Sequence, residues 1–210
     1  RFTNDDDRAR VDAAIAQAAH EQRAAGRRPY AIPRGGACAL GVLGHVLAAR
    51  ELHRQCGALG LSPGVIVLAV GSGATLAGWL LGSRLLRAGW SVIGVTVSRP
   101  AAEVRARVVT LAREAAELLG IAAPVTDPDA VVHDGFIGAG YGIATPEGDA
   151  AITLAAQTQG LFFDPTYTGK ALAGLRTLAA AGRFANAGPV VFLHTGGEPA
   201  LFVDQAGAAR

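Results

Sequence analysis

The sequence predicts an α/β protein with an open, mostly parallel sheet that is covered by helices on both faces. Short apolar runs rich in β-branched residues cover residues 65–70, 91–97 and 189–193. They lack the polar alternation of a half-exposed strand, as is typical of strands buried on both faces. Segments with helical periodicity separate these runs, and strands that alternate with helices form right-handed βαβ units.

The predicted helices follow from apolar residues at helical spacing. The first begins at Asn4 or Asp5, where a side chain can cap the helix, and Gly26 ends it. Proline opens two of the later helices, a position that suits its fixed backbone angle. The later helices cover residues 40–59, 76–86, 100–119, 146–159 and 168–181, with a short strand or loop at 130–134 and a brief extended segment at 161–164.

Composition and charge limit the classes of function. The net charge of the 210 residues is +2, carried by 18 scattered arginines and one lysine, which favours solvated helix faces over a nucleic-acid surface. Residues 55–83 carry no charge, but proline and glycine interrupt them, so a buried strand and helix explain them better than a membrane span. Cys38 and Cys56 are far apart and no signal peptide is visible, so we expect a cytoplasmic protein. No metal-ligand spacing appears, and no catalytic metal is expected.

A glycine-rich loop leads from the first strand directly into a helix. The loop consists of Gly71, Ser72, Gly73, Ala74 and Thr75. Glycines allow the backbone to approach an anion closely, and the helix N-terminus adds a positive partial charge. The loop is therefore predicted to be a phosphate cradle. It is neither a P-loop nor a complete dinucleotide fingerprint, and a tight turn without a ligand is the alternative.

Further candidate residues fall beyond the carboxyl ends of the strands, where ligands bind in such sheets. They are the glycine turn at 35–38, Tyr141, Tyr167 and Thr195. The tyrosines are either acid–base helpers or residues at a core boundary. Thr195 is either a ligand contact or a helix cap.

His194 and Lys170 are predicted to be structural. No carboxylate or cysteine that could act with His194 lies near it in the sequence. Lys170 is either a catalytic amine or a partner for the C-terminal end of another element, and we favour the second role.

Six motifs occur in one order along the chain. They are PYAIPRGG at 29–36, GSGAT at 71–75, IGVTVSR at 93–99, GYG at 140–142, DPTYTGKA at 164–171 and HTGG at 194–197. Together they resemble the D-cysteine desulfhydrase and 1-aminocyclopropane-1-carboxylate deaminase family, and the resemblance extends from about residue 29 to residue 202. Members of that family are pyridoxal-phosphate enzymes of the tryptophan-synthase-β fold type (fold type II).

The resemblance implies a role for each site residue. The loop at 71–75 would hold the phosphate of pyridoxal 5'-phosphate. Tyr141 and Tyr167 would be catalytic residues in the substrate pocket, with Tyr167 near the proton-transfer path. Thr195 would hydrogen-bond the pyridine nitrogen.

The implied reaction is α,β-elimination of D-cysteine to pyruvate, sulfide and ammonia, by a homodimer whose substrate is a small amino acid. The pattern typical of the deaminases has Glu and Leu at the positions that Thr168 and Thr195 occupy in this chain. The two threonines therefore favour the desulfhydrases. L-cysteate sulfo-lyase and 1-aminocyclopropane-1-carboxylate deaminase activities are the alternatives.

The sequence departs from the family in two places. Ala37 and Cys38 replace hydroxyl residues after the two glycines. The lysine to which the family attaches its cofactor has no counterpart, since the sole lysine, Lys170, belongs to another motif. Methionine is also absent, so we expect residues 1–210 to be an inactive C-terminal portion, mostly the cofactor-binding domain, with 1–28 as a helical link. A non-catalytic module that binds a phosphate ligand is the second alternative.

Overall fold

The computed structural model describes residues 8–122 and 125–202. The predicted helices and strands are confirmed to within two residues, and the uncertain segment at 130–134 contains a short strand. No strand forms at 161–164, and the predicted helix cap at Asn4 or Asp5 lies outside the described residues. The helices are α1 (Arg8–Ala24), α2 (Ala39–Ala58), α3 (Ala74–Leu86), α4 (Ala101–Leu118), α5 (Pro146–Gln159) and α6 (Thr168–Ala180), and the strands are β1 (Val65–Val70), β2 (Ser91–Thr96), β3 (Val131–His133) and β4 (Val190–Leu193).

These four strands form one parallel sheet in the order β3-β2-β1-β4. β1 lies between β2 and β4, with Val65 opposite both Ser91 and Val190. This arrangement confirms the predicted parallel sheet. Because all strands run in the same direction, the loops that follow β1, β2 and β4 meet at one edge, which is where the candidate residues lie.

The sheet has a hydrophobic core on each face. All six residues of β1 are buried. Ile66 and Leu68 face the core formed with α2, α3 and α4, whereas Val65 and Val67 face the core that includes α6. Successive side chains of a strand point to opposite faces, so the continuous apolar run in the sequence fills both cores at once.

Helices α2 and α3 pack closely because α3 presents glycines to α2. A Cβ atom added at Gly82 would lie 2.6 Å from the Cβ atom of Ala49, and one added at Gly78 would lie 2.4 Å from the Cβ atom of His45. This close approach brings His45 beside the first turn of α3, next to the predicted cradle.

The uncharged run at 55–83 folds as the end of α2, then β1, then most of α3. Its apolar side chains fill the core, and Trp79 and Leu81 are both buried. Within the described ranges, none of the helices combines the length and the apolar character that crossing a membrane requires.

Candidate active site

A cavity of about 840 Å³ lies at the carboxyl edge of the sheet. Each group of candidate residues predicted beyond the strands contributes to its wall. Neither aspartate nor glutamate lines it within the described part of the chain, and the same residues contain no group of three or more His, Cys, Asp or Glu that could hold a metal ion. The polar side chains on the wall are those of Arg34, Ser72, Thr75, Ser98, Arg99, Tyr141, Tyr167 and Thr195.

The predicted cradle connects β1 to α3 along one side of the cavity. Gly73 is the N-cap of α3 and has a left-handed backbone, with φ of +97°, a conformation that residues with a Cβ atom rarely adopt. Gly71, Ser72, Gly73 and Thr75 line the cavity, while the side chain of Ala74 is buried in the core. The N–H groups in the first turn of a helix lack partners within it, so those of α3 are available to an anion.

Two residues from other helices support the cradle. Nε2 of His45 lies 3.1 Å from Oγ1 of Thr75, and burial lowers the pKa of His45, which favours the neutral imidazole. Nε of Arg107 donates to the carbonyl oxygen of Ser72 at 2.9 Å. Neither residue is predictable from the sequence as a site residue, since no local pattern reveals contacts made from 30 and 35 positions away.

The two tyrosines form a pair beside the cradle, since a Cβ atom added at Gly71 would lie 3.0 Å from Cε1 of Tyr167. The hydroxyl oxygens of Tyr141 and Tyr167 are 2.5 Å apart, and the rings meet edge to face. Burial, and after it the hydrogen bond with Tyr141, raise the pKa of Tyr167 far above its ordinary value; Asp164 adds to the increase and the positive charge of Arg34 opposes it. Tyr167 is therefore a neutral hydroxyl at physiological pH, able to donate a hydrogen bond or relay a proton.

Asp164 fixes the position of Tyr167. This carboxylate is 1% exposed and accepts hydrogen bonds from the backbone N–H groups of Thr166, Tyr167 and Thr168 at 2.8 Å, and from the Thr168 hydroxyl at 2.7 Å. Gly197 packs on the same carboxylate, because a Cβ atom added there would lie 2.3 Å from Oδ1. One buried side chain thus caps α6 and supports the turn that carries Thr195, which lines the cavity.

Lys170 lies in the first turn of α6 and does not line the cavity. It is fully buried, and its Nζ donates to the carbonyl oxygens of Ile137 at 2.7 Å and Gly140 at 3.0 Å. Burial lowers its pKa. These bonds hold the glycine-rich segment that leads to Tyr141. The role is structural, as predicted, but the partners are loop carbonyl oxygens and not the C-terminal end of another element.

His194 also contacts the protein rather than the cavity. Its Nε2 is 2.7 Å from the carbonyl oxygen of Phe162, and its ring stacks on Phe163 with centroids 4.5 Å apart. A stacked, hydrogen-bonded imidazole fits the predicted structural role.

The glycine turn at 35–38 contributes its first part to the cavity. Arg34 and Gly35 line the wall, whereas Ala37 and Cys38 do not. Arg34 and Arg99 also line the cavity but were not predicted as site residues. Only their positions in the sequence could have indicated them, because Arg99 directly follows the second predicted strand and Arg34 begins the predicted turn.

Comparison with known proteins identifies relatives over most of the chain. The sequence model of the family described as pyridoxal-phosphate dependent enzymes matches residues 2–196. The D-cysteine desulfhydrase of Klebsiella pneumoniae (strain 342) is 45% identical over 180 residues, which are 85% of this chain and 53% of the relative. That of Salmonella paratyphi C (strain RKS4594) is 42% identical over 192 residues, 91% of this chain and 57% of the relative. The chain spans just over half the length of these relatives.

A solved structure supports the same assignment. The crystal structure of a homologue of 1-aminocyclopropane-1-carboxylate deaminase superposes with a TM-score of 0.84 at 35% identity, over 94% of this chain and 58% of that chain. This similarity confirms the predicted fold class, and the sequence relatives confirm the predicted resemblance. The chain belongs to the family of pyridoxal-phosphate dependent enzymes.

Proposed function

We propose that this chain forms the cofactor-binding side of a pyridoxal-phosphate-dependent carbon–sulfur lyase that converts D-cysteine to pyruvate, sulfide and ammonia. The observation that carries the proposal is the convergence of the cradle, the tyrosine pair and Thr195 on one cavity. Two relatives named D-cysteine desulfhydrase, at 45% and 42% identity, support the choice of substrate.

The cavity fits the phosphate and the ring of the cofactor. Its wall bears two arginines and the N-terminus of α3 but, among described residues, no carboxylate, so a phosphate meets attraction there. The backbone of residues 71–75 and the hydroxyls of Ser72 and Thr75 would hold the phosphate, and the hydroxyl of Thr195 would donate to the pyridine nitrogen. When bound, pyridoxal phosphate supplies an electron sink for the charge left when a substrate carbon loses a proton.

The proposed role of the tyrosine pair follows from its electrostatics. Because the pKa of Tyr167 is raised, a tyrosinate base is disfavoured at neutral pH. When Tyr141 is the donor of the bond between the two hydroxyls, the proton of Tyr167 is free, and Tyr167 would donate a hydrogen bond to the leaving sulfur. Such a bond stabilises developing negative charge without full proton transfer, which is sufficient for a good leaving group such as sulfide.

Binding of a phosphate ligand without catalysis is a second candidate function, and the environment of Lys170 favours it. It is the single lysine of the sequence, and its amine binds carbonyl oxygens away from the cavity. The proposal therefore assigns no residue of this chain to covalent attachment of the cofactor. A module that binds a phosphate ligand without catalysis would have the same cavity. Assembly as a homodimer without bound nucleic acid stays a prediction for either function.

The first experiment tests the cradle by calorimetric titration of this chain with pyridoxal phosphate and with pyridoxal. The phosphate should strengthen binding by about tenfold or more, since charge-assisted hydrogen bonds to it are strong. Thr75→Val should reduce that advantage, and Thr110→Val, on the exposed face of α4, should not. Equal affinity for both ligands would refute the cradle.

The second experiment tests the reaction with the protein encoded by the complete reading frame that contains this sequence. D-cysteine, L-cysteate and 1-aminocyclopropane-1-carboxylate are supplied in parallel. Sulfide and pyruvate formed from D-cysteine would support the proposal. Preference for L-cysteate or for ring opening would select one of the alternative lyases or deaminases, and cofactor binding without turnover of any substrate would select the binding module.

A further inference from the structure

Arg34 brings positive charge to the cavity wall that protein groups only partly satisfy. Its Nε atom is buried, and no described residue accepts a hydrogen bond from it. Its Nη2 atom is 3.7 Å from Oδ2 of Asp12, which is beyond hydrogen-bond distance. Both partners of that pair are partly exposed, and such pairs are weak. The donors that a ligand can reach are therefore on the Nη atoms, because the Arg34 side chain is 38% exposed whereas its Nε is buried.

The backbone holds Arg34 in place beside the cradle. The residue begins a 3-10 turn, Arg34–Gly36, which is closed by a 2.8 Å hydrogen bond from the N–H of Gly36 to the carbonyl oxygen of Pro33. Gly35 packs against the cradle, because a Cβ atom added there would lie 2.7 Å from Oγ of Ser72. The turn is thus a fixed part of the wall.

Arg34 is also electrostatically close to the tyrosine pair, since its charge acts to lower the pKa of Tyr167 against the larger effect of burial. Arg34 and Tyr167 both line the cavity. A ligand with its phosphate in the cradle and its reacting carbon near the tyrosines would bring its remaining polar groups towards this side chain.

The other arginines around the described cavity lie closer to their protein partners than the 3.7 Å that separates Arg34 from Asp12. Arg99 is 8% exposed and pairs with Glu103 at 3.3 Å. Arg107 donates to the backbone of Ser72. Arg34 is consequently the arginine of this wall best placed to meet a second anion.

We propose that Arg34 binds the acidic group of the amino-acid substrate and makes the cavity selective for ligands with two separated anions. One anion is the phosphate in the cradle, and the other is a carboxylate or sulfonate on the amino acid. A guanidinium presents paired N–H donors that match two oxygens of either group. The inference rests on the proposed function and adds to it a residue that determines specificity.

Stable secondary amines test this assignment without requiring turnover. The N-phosphopyridoxyl derivatives of ethylamine, D-alanine and taurine carry no acid, an α-carboxylate and a side-chain sulfonate, respectively. Their dissociation constants for this chain are measured by calorimetry. At least one acidic ligand should bind about tenfold or more tightly than the ethylamine derivative, as expected for charge-assisted hydrogen bonds. The identity of that ligand shows which acidic group Arg34 binds.

Variants separate the role of Arg34 from effects on folding. Arg34→Gln should abolish the advantage of the acidic ligand over the ethylamine derivative, even where loss of the charge weakens all three phosphate-bearing ligands by a common factor, while Arg34→Lys should retain part of the advantage because the charge persists. The matched control is Arg105→Gln on α4, where Arg105 pairs with Asp127 outside the cavity. It should change none of the three affinities.

Three results would overturn the assignment: equal binding of all three ligands to the unmodified chain, an acid advantage that survives Arg34→Gln, or equal weakening of all three ligands in that variant. If the unmodified chain binds none of the derivatives, the proposed function fails as well. Tight binding of the ethylamine derivative without any acid advantage refutes the role of Arg34 and leaves the cradle intact.

Discussion

The two sides of the cavity are built in different ways. On the cradle side, the glycines at 71–73 and the turn Arg34–Gly36 obtain their shape from local backbone geometry. On the tyrosine side, Tyr141 and Tyr167 are held by Asp164 and Lys170, two buried charged residues. Asp164 binds donors within its own segment, whereas Lys170 reaches a loop about 30 residues away.

This difference predicts an unequal sensitivity to substitution. When the glycine of a local turn is replaced, the free energy of unfolding falls only by the cost of holding the new residue in one unfavourable backbone conformation. A buried charged residue that satisfies several groups leaves all of them without partners when it is removed. Changes on the tyrosine side should therefore cost more stability than changes on the cradle side.

Asp164→Ala should produce the largest loss. The substitution removes the acceptor for three backbone N–H groups and the Thr168 hydroxyl, and we expect the free energy of unfolding to fall by about 3 kcal/mol, as is typical when buried groups lose charged partners. Urea denaturation measures the change. The control is Glu114→Ala on the exposed face of α4, which should alter stability by less than about 0.5 kcal/mol. Similar losses in both variants would contradict the structural role of Asp164.

Gly73→Ala tests the cradle side and should have a smaller effect. The available space is ordinary, because the added Cβ atom would lie 3.4 Å from Cγ2 of Val108. The positive φ remains, and we expect it to cost about 1–2 kcal/mol of unfolding free energy.

Gly44→Ala is the matched control for that substitution. Gly44 lies inside α2, is exposed and has open space at its Cβ position. Alanine there should stabilise the protein by about 0.5–1 kcal/mol. If Gly73→Ala were also stabilising, the left-handed conformation would not be a constraint on the cradle.

The same difference explains what the sequence could and could not predict. The glycines at 71 and 73 and the β-branched run before them are local signals, so the loop and β1 were predicted at their observed positions, while the binding of a phosphate by that loop stays a prediction. Tyr167 and Tyr141 were predicted from motifs. The hydrogen bonds of Lys170 were not predictable, because their acceptors are main-chain carbonyl oxygens and any residue provides one. The unpartnered Nε of Arg34 is likewise a property of the folded chain.

The smallest expected effect concerns stability at alkaline pH and isolates Tyr167. Its folded pKa is raised above the ordinary value of 10.0, chiefly by burial, so between these two values the folded state keeps a proton that the unfolded state loses. The stabilisation is therefore fully present below about pH 10 and is lost as the pH rises towards the raised pKa. Lys170 has the opposite effect, because its pKa is lowered and the unfolded state then binds more protons below its ordinary pKa.

Tyr167→Phe should consequently show a shallower loss of unfolding free energy above about pH 10 than the unmodified chain. The contribution of Lys170 is shared by both proteins and cancels in the difference. Tyr30→Phe is the matched control, since Tyr30 is 70% exposed, and its alkaline slope should equal that of the unmodified chain. Urea denaturation at a series of pH values measures all three slopes. An equal flattening in both variants would show that burial of Tyr167 against the cradle does not hold its proton, and the neutral-donor role proposed for this hydroxyl would lose its physical basis.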